Sequence, residues 1–358
     1  MKITELSQNC GEWLRGGKNI GVVLSCRVRL ARNLSAFNFV ARADDAGRLA
    51  VLKTVREAVA TINFPATELA YFDLEQLSDL ERVFLLERHL ISRELTDKPG
   101  ARGVIFDRQE KLSLMINEED HLRLQALGGG EQLRETYDFL SKIDDDLSNF
   151  LDFAWTPDLG YLTACPSNVG TGMRVSAMLH LPALTITKHI EKVFRLVTEL
   201  HLAVRGYYGE GTKADGDLFQ VSNQITLGRQ ESELIDDLAA MINQLTDFEL
   251  KARDFLWQER RVELEDRVWR SWAVLREARL IKAEEAMFHL SSLRLGVAMR
   301  IIPPISPAAL NCWLLLCQPA HLQVNAGRAE MPAPERDALR ASMLRKQLNA
   351  ITKSKVES

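Results

Sequence analysis

Five arginines constrain this chain more than any other feature: Arg27 and Arg29 in SCRVR, Arg123 in EEDHLR, Arg174 in NVGTGMR and Arg205 in RGYYGE. A guanidinium keeps its charge at any working pH and offers a rigid fork of donors that matches phosphate oxygens. A fold that brings these blocks together builds a clamp for a polyphosphate. The same blocks carry Glu118, Glu119 and Glu210. Those carboxylates would repel a polyphosphate unless a cationic second substrate or a metal lies between. The pattern points to phosphoryl transfer onto a basic acceptor.

At 358 residues the chain can bury a sizeable core, and a length of ~100–200 residues per domain suggests two domains. A formal charge of −4 gives no reason to expect nucleic acid or an anionic membrane as a partner. Cys10, Cys26, Cys165, Cys312 and Cys317 show neither CxxC spacing nor a zinc-type cluster with histidine. They are expected to be reduced thiols of a cytosolic protein. The opening MKITELSQN lacks the apolar centre of a signal peptide, and apolar runs such as Trp313 to Cys317 are too short to span a bilayer. A soluble, cytoplasmic protein is expected.

Alternating apolar and β-branched residues predict strands near Ile20–Val28, Val104–Phe106, Leu112–Ile116 and Phe219–Leu227. Helical spacing predicts helices over Gly47–Ile62, Asp73–Ile91, Leu133–Phe150 and Thr187–Leu202. Gly128–Gly130 reads as a flexible break, and Pro166–Gly172 is rich in turn formers. The arginine blocks therefore fall at strand ends and loops, where active sites gather. From about Glu231 to Leu295 the chain reads as long charged helices of the kind that pack as a bundle or a dimer surface.

LSCRVRLARN, INEEDHLR, LTACPSNVGTGMR, RGYYGEGT and VSNQITLG, in that order, resemble the phosphagen (guanidino) kinases. ELEDRVWRS and the late RDALRA make the McsB-type protein-arginine kinases of bacteria the most similar branch, and the likeness covers nearly the whole chain. Cys26 stands where serine is usual, and Tyr208 follows Tyr207 where the pattern commonly differs; neither change removes a charge. The resemblance implies an α+β fold, an antiparallel sheet flanked by helices over residues 1–230, with a C-terminal all-helical domain over 231–358 for dimerisation and phosphoarginine sensing. It implies ATP and Mg²⁺. ATP contacts would come from Ser25, Cys26, Arg27, Val28 and Arg29, from His89 beside the base or ribose, and from Arg123. Arg174, Val175, Ser176, Ala177 and Met178 would add to them, with Arg205, Gly206, Tyr207, Tyr208, Gly209 and Glu210.

A guanidinium acceptor has a pKa of ~12.5–13.8, so almost none of it is a free nucleophile at neutral pH. Carboxylates must orient its nitrogen and accept a proton as the N–P bond forms. If EED is extended, Glu118 and Glu119 point to opposite faces and take different roles. By resemblance Glu119 is the base, Glu118 faces the water shell of the metal, and Glu210 clamps the guanidinium from the other side. Cys165, before Pro166, would help orient the acceptor, since a cysteine near guanidinium groups is pushed toward its thiolate.

Relatives that act on free arginine or creatine carry a helical domain ahead of the catalytic core. Here SCRVR begins at Ser25, which favours an open site and an arginine side chain on a protein. The expected activity is therefore a protein-arginine kinase that marks clients for proteolysis or stress control, with an activating adaptor and a Clp-type protease as partners. A small-molecule guanidino kinase and a phosphoarginine-binding adaptor with an inactive core are the alternatives. By the same resemblance Arg336, Asp337, Arg340 and Ala341 would form an allosteric phosphoarginine site. The competing reading of that stretch is a solvated basic helix with an Asp337–Arg340 pair.

Overall fold

The computed structural model describes residues 2–62, 64, 68–206 and 215–353. Among them the strands are β1 (Val23–Arg32), β2 (Leu69–Asp73), β3 (Gly103–Asp107), β4 (Leu112–Ile116), β5 (Leu122–Gly129), β6 (Trp155–Thr156), β7 (Gly160–Tyr161), β8 (Met173–His180), β9 (Leu202–Gly206) and β10 (Leu218–Asn223). Eight of them form one sheet in the order β2-β3-β4-β5-β1-β8-β10-β9, with every pair antiparallel; β6 and β7 form a separate small hairpin. β1 is central; its neighbours β5 and β8 carry Arg123 and Arg174, and β9 at the sheet edge carries Arg205.

The pleat of β1 separates chemistry from packing. Arg27 and Arg29 reach one face, whereas Cys26, Val28 and Leu30 are buried on the other. Against that second face lies α5, and the Cys26 sulfur sits 3.4 Å from Thr136 Oγ1.

The helices are α1 (Ile3–Leu6), α2 (Asp45–Thr61), α3 (Asp79–Glu87), α4 (Arg93–Asp97), α5 (Leu133–Ser148), α6 (Pro182–Ile186) and α7 (Ile190–Glu199). They are followed by α8 (Glu231–Glu259), α9 (Arg261–Glu277), α10 (Ala283–Ala298), α11 (Pro307–Leu316), α12 (Pro319–Asn325) and α13 (Ala333–Lys353). Local chemistry sets their starts. Asp44 Oδ1 accepts from Gly47 N at 2.8 Å to cap α2, and Ser78 with Glu81 forms a reciprocal capping box on α3. The late helices bury their apolar stripes within the chain: Leu234, Leu238, Met241 and Leu245 of α8 join the same core as β8 and α6. Val262 (79% exposed) and Leu280 (62%) remain outside it. Among the described residues no helix is long and apolar enough to cross a membrane.

Several expectations need correction. Gly128 and Gly129 are no flexible break; they pair with Cys26 and Ser25 as the end of β5. Glycine is required there because a Cβ on Gly129 would strike the Gly16 carbonyl. The helix expected over Asp73–Ile91 is shorter, since Leu69–Asp73 pairs with β3 and Ser78 starts the helix afresh. Glu118 and Glu119 are not in a strand but in the turn between β4 and β5, which begins at Asn117 with φ 57°. The cysteines are not all free thiols: Cys10 and Cys312 form a disulfide, with Cα atoms 5.8 Å apart and a sequence separation of 302. A pairing over that span leaves no spacing signal in the sequence.

Candidate active site

A cleft of about 490 Å³ lies on the arginine face of the sheet. Arg27 and Arg29 of β1, Gln125 of β5, Arg205 of β9 and Gln220 of β10 form its floor, and His89 closes one side. The arginines arrive there by register. Arg29 pairs with Arg174 of β8 and with Gln125 of β5, Arg27 pairs with Ser176, and Arg205 pairs with Gln220.

Among the described residues, few acids compensate them. Arg27 Nη2 donates to Gln220 Oε1 at 2.9 Å and Arg174 Nη2 to Ser222 Oγ at 3.1 Å, both neutral acceptors. The buried Arg174 Nε has no hydrogen-bond partner among the described residues. Burial pulls Arg27 down to about 10, with Arg174, Arg123 and Arg205 adding like-charge repulsion. Arg174 is likewise lowered to about 10 by burial and then by Arg205 and Arg123. Arg29 falls well below its ordinary value, first by burial and then by Arg27, Arg123 and Arg174. Arg27, Arg29 and Arg174, each lowered by burial and by neighbouring guanidinium groups, form a cluster that an anion relieves.

Arg123 joins the arginines to the acidic turn. Its Nη1 donates to Glu118 Oε1 at 2.5 Å and its Nη2 to Glu119 Oε2 at 3.1 Å. Glu118 is buried, takes a hydrogen bond from Ser92 Oγ, and accepts Glu119 N at 2.7 Å. Glu119 keeps an open side chain, 38% exposed. Its pKa is raised by burial, opposed by Arg123 and assisted by Asp120 and Glu118. A carboxylate with a raised pKa takes up a proton more readily, as a base in phosphoryl transfer must. The different surroundings of Glu118 and Glu119 thus arise from a turn rather than from strand alternation.

Cys165 precedes the short helical turn Pro166–Asn168, and its sulfur is 3.0 Å from Ser167 Oγ. It is close enough to Arg174 to act on that guanidinium electrostatically. Asp120, which sequence reasoning passed over, ties the two loops together. Its Oδ1 accepts from Ala164 N and from Asn33 Nδ2, each at 2.6 Å. Asn33 also bonds Leu162 O and His121 N, so one buried network fixes the neighbours of both Glu119 and Cys165. EED held a readable signal in its third acid, but the partner at Ala164 is a backbone group with no sequence mark.

His89 lines the cleft with φ 60° and its ring edge-on to Trp13, centroids 5.4 Å apart. Burial, with Arg27 adding, lowers it to about 3, so it is neutral. Ser25, Ser176 and Met178 border a small pocket of about 20 Å³ that shares Arg27, His89 and Gln220 with the cleft. The side chains of Cys26, Val28, Val175 and Ala177 are packed in the core, so only their backbone can face the cleft. Gly206 ends β9; Tyr207, Tyr208, Gly209 and Glu210 lie outside the described residues. No trio of His, Cys, Asp or Glu among the described residues could hold a metal. Beside the arginines, the carboxylates of Glu118 and Glu119 are hard oxygen donors of the kind that Mg²⁺ takes.

On α13 the pair between Asp337 Oδ1 and Arg340 Nη1 is formed at 2.7 Å. Arg340 is 1% exposed and donates to Cys317 O and Ile281 O, both at 2.8 Å. Arg336 is nearer the surface and donates to Met331 O at 2.8 Å, while Ala341 belongs to the core.

Residues 50–252 match the model of the ATP:guanido phosphotransferase C-terminal catalytic domain, and residues 261–358 match that of the protein-arginine kinase McsB C-terminal domain. The chain belongs to the protein-arginine kinase family. The protein-arginine kinase of Symbiobacterium thermophilum is 44% identical over 342 residues, covering 94% of this chain and 96% of that one. That of Moorella thermoacetica is 45% identical over 340 residues, covering 94% and 97%. Among solved structures, lombricine kinase has a TM-score of 0.58 at 25% identity over 69% of this chain and 75% of its own. The duplicated taurocyamine kinase of Schistosoma mansoni, with transition-state-analogue components, shares the fold with a TM-score of 0.60 at 24% identity, over 75% of this chain and 42% of that one. The family is thus a guanidino phosphotransferase family with an antiparallel sheet, as the resemblance implied.

Proposed function

We propose that this protein transfers the γ-phosphoryl group of Mg·ATP to arginine side chains of other proteins. The crowding of Arg27, Arg29, Arg174 and Arg205 around one cleft, with Arg123 beside the acidic turn, is the observation that carries this reading. These guanidinium groups would spread the charge of the transferring phosphoryl group, and Mg²⁺, approached through water by Glu118, would add positive charge there. Glu119 takes the proton of the attacking nitrogen as the N–P bond forms and the bond from phosphorus to the ADP oxygen breaks. Glu118 holds Arg123 and reaches the water shell of the metal, Glu210 holds the acceptor guanidinium, and Cys165 orients it. Ser25, Ser176, Met178 and the backbone of their strands would pack around the nucleotide, with His89 toward base or ribose.

A protein acceptor is supported by relatives named protein-arginine kinase and by the McsB-type C-terminal match. The helices after Glu231 would carry self-association into a homodimer, for which the exposed Val262, Trp269, Leu280 and Phe288 offer apolar surface. Phosphoarginine would bind at α13, its phosphate to Arg336 and Arg340 and its guanidinium to Asp337, beside Ala341, in competition with the Asp337–Arg340 pair. An activating adaptor, a Clp-type protease and a cytoplasmic setting complete the reading. The test is transfer of label from γ-labelled ATP to an unfolded protein. The label should be lost in acid, as N–P bonds are, and absent with Glu119→Gln; acid-stable label would place the phosphoryl group on oxygen and overturn it.

A further inference from the structure

The cleft has an outer wall that the arginine blocks do not supply. Ala283 at the start of α10, with Gln318 and Pro319 at the start of α12, lines it together with Leu86, Glu87 and His89. α12 spans seven residues, too few to hold a helix by propensity alone. Its first amides need acceptors, and its own N-cap, Gln318, makes no side-chain cap. Glu87, the last residue of α3, serves instead. Its carboxylate accepts Ala320 N at 2.9 Å and His321 N at 3.1 Å, and His321 Nδ1 at 2.7 Å.

His321 is fully buried, tilted against Phe84 with ring centroids 4.4 Å apart. With its Nδ1 proton on Glu87, its Nε2 is left to accept from Arg88 Nη1 at 3.2 Å. Arg88 also donates to Glu110 Oε1 through Nε at 2.8 Å and to Asn9 O at 2.8 Å. The next residue is His89, held at φ 60° in the cleft. A non-glycine residue keeps that conformation only where its surroundings impose it. On the other side of the wall, Arg340 holds Cys317 O, one residue before Gln318.

We propose that Glu87 and His321 form a clasp that seats α12 against α3 and so fixes the outer wall and the His89 side of the nucleotide cleft. They are positioning residues for nucleotide binding and take no part in phosphoryl transfer. The inference rests on reading the cleft as the nucleotide site. It also makes the C-terminal helices part of that site rather than an appendage to it.

Binding of ADP, measured calorimetrically on the full chain, tests it. Glu87→Ala should weaken ADP about tenfold, the scale of one or two buried hydrogen bonds. At saturating ATP, kcat should stay within about twofold of wild type, because the groups that act on the phosphoryl group are untouched. Glu87→Gln, which keeps one acceptor oxygen, should recover part of the loss. His321→Phe retains the stacking on Phe84 while losing both hydrogen bonds, so it should weaken ADP as Glu87→Ala does; it serves if Glu87→Ala fails to fold. A folded variant of either kind that binds ADP like wild type overturns the clasp. So does a fall in kcat with unchanged ADP affinity. Arg27→Met separates the two readings: if it too binds ADP like wild type, the cleft is not the nucleotide site, whereas its loss of ADP beside an unaffected Glu87→Ala overturns the clasp alone.

Discussion

Arg29 and Arg174 stand directly opposite each other across β1 and β8, two like charges in one registered pair on the arginine face of the sheet. Such pairs weaken a sheet, here in a strand that is the centre of eight. A polyphosphate bound between them, as proposed, would reverse the sign of the interaction.

Removing one of the pair should therefore separate stability from function. Arg174→Met should stabilise the nucleotide-free protein by about 0.2–1 kcal/mol, the usual size of a cross-strand pair, while losing the rise in melting temperature that Mg·ADP gives the wild type. Arg174→Lys and Arg205→Lys keep charge without the planar fork and should slow phosphoryl transfer substantially. Thermal unfolding with and without nucleotide checks the first point, and turnover checks the second. Wild-type rates in a lysine variant would mean that its arginine does not grip phosphate in two places.

Glu119→Gln should lower turnover by ~10²–10⁴, the usual worth of general acid–base help, with ADP affinity kept. A parallel loss of nucleotide affinity would show that the residue matters through its contact with Arg123 and not as a base. Cys165→Ser should leave a slower but measurable enzyme.

Asp120 gives a sharper test of positioning. Its carboxylate is buried and binds the loop that carries Cys165 through Ala164 N. Asp120→Ala should raise the KM for the acceptor and lower kcat while leaving ADP binding near wild type, because the arginine floor does not depend on it. Equal loss of ADP binding would mean that the whole turn collapses.

His89 predicts a pH dependence of stability. Its pKa is lowered to about 3 in the fold, against about 6.5 for an unfolded histidine. The unfolded chain therefore binds a proton that the folded chain refuses, so this stabilisation is complete above pH about 6.5 and is lost as pH falls toward 3. Replacing His89 with Asn should flatten the loss of stability across that window in denaturant titrations. An unchanged slope would mean that the ring is solvated.

Much of this was legible in the sequence, for physical reasons. The arginine blocks had a chemistry that only an anion satisfies, and β4 and the body of α5 had clear periodicity. β5 was obscured because its end is built from Gly128 and Gly129, which look like a break until the close approach of Gly16 is seen. The Cys10–Cys312 disulfide, the Glu87 cap on α12 and the Asp120 bridge join residues far apart in the chain, often through backbone atoms. No local pattern records such contacts. The late helices read as charged because their outer faces are; their inner faces complete the core of the sheet domain.

Self-association has its own measurement. Sedimentation at micromolar concentration should give a dimer that Val262→Asp with Leu280→Asp dissociates, since both side chains are exposed and apolar. A wild-type monomer would remove the dimer from the account. For the effector, phosphoarginine should bind wild type and raise its rate, and Arg336→Ala should abolish both effects. Binding unchanged in Arg336→Ala would discard the site on α13.

The central claim is the identity of the acceptor, and one comparison addresses it directly. The protein is incubated with Mg·ATP and either an unfolded protein or free arginine, handled without acid, and both products are read by mass spectrometry. Phosphoarginine within the unfolded protein, formed much faster than free phosphoarginine and lost with Glu119→Gln, is the predicted result. Phosphorylation of free arginine alone, or of neither acceptor, would contradict it.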